Sequence, residues 1–136
     1  FVADGETSWL IRERHETVRL ATRKHHAVSE ATLFTTTPAL FGTGAMRAAF
    51  DRLESKVRLS RYGCDCYAFA MLAAGFADIV VDPGLNTYDI AALIPLIEQA
   101  GGVVTTFEGG NAVDGGNVLA AATPGLHAAA LDLLNR

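Results

Sequence analysis

The 136-residue chain predicts an α/β layered sandwich, with a central mixed or parallel sheet flanked by helices. Three observations point there. Short β-branched or apolar runs alternate with helical patterns of about ten to fifteen residues through most of the chain. The strand centres "IVV" (79–81) and "VLAAA" (118–122) hold no polar residue, as suits strands covered on both faces. Hydrophobic residues make up 50% of the composition, enough to fill one core in a single domain spanning 1–136.

The first 25 residues are strand-like and turn-rich. "FVADGETSWLI" places a D-G turn signal between short apolar pieces, and "ETVRLAT" alternates like a half-buried strand. "HHAVSEATLFTTTP" is a polar connection followed by the β-branched strand "ATLFTTT", stopped by Pro38. "GAMRAAFDRLESK" sets Met46, Ala49, Phe50 and Leu53 at helical spacing. A short strand, "VRLS", precedes the helix "DCYAFAMLAAG", which Gly75 ends. "ADIVVDPG" is a strand closed by a D-P-G stop. "YDIAALIPLIEQAGG" is a helix with Pro95 inside it, and that proline should bend it or shift its hydrogen bonding. Two further strands, "GVVTTFEGG" and "NVLAAAT", are separated by the Gly-rich "EGGNAVDGGN". The amphipathic helix "PGLHAAALDLLNR" closes the chain.

Composition narrows the function classes. No apolar run reaches the ~20 residues of a membrane span. The chain shows neither an initiator Met nor a cleavable leader, and is expected to be a piece of something longer. The net charge of −4 conceals an asymmetry: residues 1–62 hold ten of the eleven Lys and Arg, and from Gly63 onward eight acidic residues face only Arg136. No basic stripe with interleaved aromatics supports nucleic-acid binding, whereas an acidic half can attract cations. Cys64 and Cys66 make too tight a pair for an unstrained bridge, and are expected to be reduced thiols in a cytoplasmic protein. His15, His25, His26 and His127 do not recur with Cys or Asp at zinc spacing, so surface or cap positions are expected for them. Trp9 and the phenylalanines are expected to pack in a core or an interface.

Two junctions place acidic residues beyond strand ends, where open α/β sheets collect ligands. In "RLSRYGCDCYAF" Asp65 starts a helix, and in "IVVDPGLNTYDIAAL" Asp82 ends a strand and Asp89 starts a helix. A carboxylate at a helix start can cap free N–H groups or turn outward to a hard divalent cation. Asp89 therefore suits a cap, a ligand or both, and Asp82 before Pro83 suits a turn residue as well as a functional one.

Tyr88-Asp89-Ile90-Ala91-Ala92, followed after seven residues by Ala100-Gly101-Gly102, resembles the C-terminal signature of the inositol monophosphatase family. "RYGCDCYAFAMLAAGFADIVVDPGLNTYD" is similar to the stretch that precedes it, and "GNVLAAATPGLHAAALDLL" to the family's last strand and helix. The resemblance is strongest over 57–136 and weak over 1–30. Within the family, the glycine and aspartate of "YGCDCY" and the Tyr before Asp89 look most like the bacterial histidinol-phosphate phosphatase branch, although Cys64 stands between Gly63 and Asp65.

The resemblance implies the C-terminal half of the sugar-phosphatase fold and Mg²⁺-dependent hydrolysis of a small phosphorylated metabolite. It makes Asp89 a metal ligand and Asp82 the acid that hydrogen-bonds the substrate's polar group. Gly63, Cys64 and Asp65 would line the substrate pocket, with Asp65 suited to a cationic amine such as that of histidinol phosphate. The family's Glu-containing helix and Asp-Pro-x-Asp-Gly-Thr motif are not in the chain, whose only Asp-Pro is Asp82-Pro83. The chain alone is therefore expected to be inactive or nearly so, and the family's habit points to a homodimer. Alternatives are an inositol or other sugar phosphatase, or a non-catalytic α/β interaction module.

Overall fold

A computed structural model describes residues 1–12, 16–24 and 27–136. His15, His25 and His26 lie outside the described residues. The described chain forms a five-stranded mixed sheet with helices on both faces, plus a separate three-stranded antiparallel sheet. The small sheet comprises β1 (Val2–Ala3), β2 (Ser8–Ile11) and β3 (Thr17–Arg19). The main sheet has the order β5-β4-β6-β8-β7, from β4 (Thr32–Thr35), β5 (Leu59–Tyr62), β6 (Ile79–Asn86), β7 (Val103–Thr106) and β8 (Gly115–Ala121). β4 pairs parallel with both β5 and β6, while β8 runs antiparallel to β6 and β7.

Alternation along the strands builds two cores. Leu33, Ile79, Val81, Leu119 and Ala121 point to one face and meet α1 (Ala45–Glu54) and α5 (Pro124–Asn135). Phe34, Val80, Val118 and Ala120 point to the other and meet α2 (Cys66–Ala73) and α4 (Leu93–Gln99). The small sheet lies outside α4, with Leu10 packed on that core and Ser8 Oγ donating to Leu96 O at 2.7 Å. The next segment passes across one end of the main sheet, where β6 starts and β8 finishes. Thr22 Oγ1 donates to Ala122 O at 2.8 Å, and Arg23 Nη1 reaches the fully buried Asp78 at 3.2 Å.

Four local expectations change. Asp82-Pro83-Gly84 does not stop its strand: β6 continues to Asn86, with a register shift between Asp82 and Leu85. Pro83 has no N–H to give the ladder, and the irregularity absorbs that loss. Gly84 N instead donates to Asn117 Oδ1 on β8 at 3.1 Å. The helix around Pro95 is divided into α3 (Thr87–Ile90) and α4. A proline removes the bond to the carbonyl four residues back, here that of Ala91, so the helix restarts with Pro95 in its first turn. β3 is exposed throughout, although its alternation suggested a half-buried strand. Met46, expected on the core face of α1, is exposed, while Ala49, Phe50 and Leu53 are buried.

Candidate active-site cleft

The strand order leaves a crevice. β4 lies between β5 and β6, and the helices that follow β4 and β5 pack on opposite faces of the sheet. Sheets of this kind bind ligands beyond the carboxyl ends of their parallel strands. A cleft of about 260 Å³ opens there. Thr36 and Leu40 line it from the β4 side, Asp65 and Cys66 from β5, and Asp82 to Leu85 with Asp89 from β6. Three carboxylates thus share one cleft, and no basic side chain is among the described residues that line it. Such a lining attracts a cation, organic or metallic.

Each carboxylate is held differently. Asp82 is only 1% exposed and its oxygens are satisfied from β4. Thr35 Oγ1 donates to Oδ1 at 2.8 Å, Thr36 N to Oδ1 at 2.7 Å, and Thr36 Oγ1 to Oδ2 at 3.0 Å. Burial pushes its pKa above the usual carboxylate value, the three hydrogen bonds pull it down, and the charge of Asp65 adds to the upward push.

Asp89 is half-buried and caps its own helix. Its Oδ2 accepts from Asn86 N at 2.8 Å and from Asn86 Nδ2 at 3.3 Å, the geometry of a capping box. Oδ1 accepts no hydrogen bond among the described residues and belongs to a group that lines the cleft. Cap and ligand are therefore compatible roles, one for each oxygen.

Asp65 is exposed and, although it stands at the N-cap of α2, makes no side-chain cap bond among the described residues. It ends a strained turn: Gly63, Cys64 and Asp65 have φ of 89°, 74° and 42° in succession. Left-handed conformations cost a non-glycine residue about 1–3 kcal/mol each and gather at functional sites. The turn puts Asp65 on the cleft wall, while the exposed Cys64 and the half-buried Gly63 do not line it.

Cys66, at the foot of the turn, is the thiol that does line the cleft. Burial pushes its pKa up, and the charges of Asp89, Asp65 and Asp82 push it further. Because the thiolate is the nucleophile, iodoacetamide at neutral pH is expected to alkylate the exposed Cys64 several-fold faster than Cys66. Timed alkylation with peptide mapping checks this, and equal rates would contradict it.

Sequence patterns overlooked Thr35, Thr36, Leu40 and Cys66. Thr35 and Thr36 read only as β-branched strand formers, yet a polar pair where a parallel strand ends was the available signal. His127 is neither a surface nor a cap residue. It is 8% exposed, and its Nε2 lies 2.8 Å from Thr105 Oγ1, with burial lowering its pKa.

The oxygen donors suit a hard cation such as Mg²⁺. Among the described residues, however, no three His, Cys, Asp or Glu side chains converge so as to hold a metal ion. Among the described residues Asp89 Oδ1 is a candidate ligand rather than part of a complete site. No helix among the described residues is long and apolar enough to cross a membrane.

A family model described as the inositol monophosphatase family matches residues 5–136. The chain is 48% identical over 90 residues to the chloroplastic bifunctional phosphatase IMPL2 of Arabidopsis thaliana, covering 66% of this chain and 26% of that protein. It is 35% identical over 72 residues to a histidinol-phosphatase of Chlorobaculum parvum, covering 53% of this chain and 28% of that protein. A solved inositol monophosphatase from Zymomonas mobilis superposes with a TM-score of 0.81 at 34% identity, over 94% of this chain and 53% of that one. The chain thus spans about half the solved relative and less of the two curated ones. The same α/β sandwich, matched over nearly its whole length, places the chain in the inositol monophosphatase family.

Proposed function

We propose that the chain is the C-terminal part of a Mg²⁺-dependent phosphatase that hydrolyses a small phosphate monoester, with histidinol phosphate as its preferred substrate. The observation that carries this reading is the convergence of Asp65, Asp82 and Asp89 on one cleft with no basic side chain among the described lining residues. A substrate whose organic part is cationic complements that charge, and histidinol phosphate bears an amine and an imidazole. The likeness to a histidinol-phosphatase supports the same choice.

Asp89 would offer Oδ1 to the ion, which when bound neutralises phosphate charge and activates a water. Asp65, free of capping duty, would pair with the amine by a charge-assisted hydrogen bond. Asp82, buried and anchored, would accept one polar hydrogen of the organic group, and Leu40 would form an apolar wall beside it. The remaining metal ligands must come from a segment other than these residues, so this chain alone is expected to show little or no turnover.

An inositol monophosphatase is the second reading, favoured by the 34% identity to the Zymomonas mobilis structure across 94% of this chain. Steady-state assays of the full-length protein with Mg²⁺ separate the two. Histidinol phosphate is expected to exceed inositol 1-phosphate in kcat/KM by about 100-fold, the scale of discrimination set by one charge-assisted contact. Asp65→Asn should reduce that preference. Equal or better use of inositol 1-phosphate would overturn the histidinol phosphate assignment, and inertness toward a wider panel of phosphate monoesters would favour a non-catalytic module.

A further inference from the structure

Asp82 and the turn that carries Asp65 arrive at the cleft on different strands, and one dipeptide grips both. Thr35 ends β4, the strand between the two. Its hydroxyl and both donors of Thr36 hold the Asp82 carboxylate through three hydrogen bonds. On the other side, the Gly63 N–H donates to the carbonyls of Thr35 and Thr36, at 3.2 and 2.8 Å. Thr36 therefore links the acid on β6 to the first residue of the strained turn after β5, and it lines the cleft itself.

The count of acceptor sites makes this link specific. A carboxylate has about four lone-pair positions. Two on Oδ1 and one on Oδ2 are taken by the threonines, which leaves one on Oδ2. Only the Thr36 hydroxyl touches Oδ2 among the described residues, so it decides which way that remaining acceptor points.

We propose that Thr36 is a positioning residue that sets substrate affinity, by orienting the free Oδ2 acceptor of Asp82 and holding the Gly63–Asp65 turn at a fixed distance from it. This inference rests on the phosphatase reading above and deepens it. The organic end of the substrate is read by a unit of Thr36, Asp82 and Asp65, rather than by two independent acids. The Thr35 hydroxyl and the Thr36 N–H still anchor Oδ1 when the Thr36 hydroxyl is removed, so the carboxylate stays in place but loses the contact that orients Oδ2.

The test uses the full-length protein with Thr36→Val, which keeps the side-chain shape and deletes the hydroxyl, and Thr36→Ser, which restores it. With histidinol phosphate as the probe, Thr36→Val is expected to raise KM about tenfold with kcat within about threefold, the size of losing one hydrogen bond that orients a charged group. Thr36→Ser should lie close to wild type. Thr36→Ala carries the same expectation should the valine variant fail to fold, with circular dichroism reporting the fold of each.

A folded hydroxyl-deleted variant with unchanged KM would overturn the inference, as would a fall in kcat alone or failure of serine to rescue. Those results leave the phosphatase reading standing, because wild-type turnover is measured beside them. A wild-type protein inert toward every phosphate monoester would remove the phosphatase reading and this inference with it.

Discussion

Asp89→Asn in the full-length protein is expected to lower Mg²⁺-dependent turnover by about 100-fold or more, with a change in stability of no more than about 0.5 kcal/mol. The two effects separate because the two oxygens of Asp89 have different work. Oδ2 accepts from Asn86 N and Nδ2, and an asparagine carbonyl oxygen can accept the same bonds. Oδ1 would become an amide nitrogen, a donor that cannot ligate a cation. Loss of a partner that merely orients a metal ligand costs about 10–100-fold, so loss of a ligand itself should reach at least the upper end. Thermal unfolding and Mg²⁺ titration of turnover provide the measurements. Retained activity with full Mg²⁺ response would reduce Asp89 to a helix cap.

Gly115→Ala should destabilise the fold by about 2–4 kcal/mol and impair the cleft as well. Gly115 has φ of +85° and pairs with Asn86 across the β6–β8 ladder. A Cβ there would stand 2.2 Å from Leu85 O and 2.9 Å from Asn86 C, both of them backbone atoms that cannot rotate away. The left-handed backbone adds about 1–2 kcal/mol for any side chain. The displaced backbone is the one that presents Asn86 to Asp89, so the damage travels to the cap and to the orientation of Oδ1. Chemical denaturation should show the lower midpoint. An alanine variant as stable as wild type would mean that β6 yields easily at this point, against the contact distances.

The readable parts of the chain were those in which a short window settles the outcome. Helical spacing in 45–54 located α1, and the apolar centres of β6 and β8 identified strands buried on both faces. Pro95 marked an interruption of helical hydrogen bonding, because its missing N–H acts on its own helix wherever that helix packs. The D-P-G stretch misled for a related reason. Taken alone it is a turn signal, but pairing with β8, helped by Asn117, extends the strand past it. Met46 has the spacing of a core residue, and only the position of neighbouring elements leaves it in solvent.

The candidate site divides along the same line. The placement of Asp65 and Asp89 at helix starts is local and was legible, whereas Asp82, expected to end its strand, lies in the middle of β6. That Asp89 caps its own helix through one oxygen depends on its own first turn, and capping logic anticipated that role. A polar pair at the end of β4 hinted at Thr36, but its partnership with Asp82 was not readable, since nothing in "TTTPAL" refers to residue 82.

Local pattern thus settled the periodicities, the caps and the class of fold. Convergence was decided in three dimensions. The order β5-β4-β6 arises from burying α1 and α2 on opposite faces of one sheet, a packing energy summed over residues far apart in the chain. That order places Thr36 between the Asp65 turn and Asp82, and turns acids scattered along the chain into a single charged cleft.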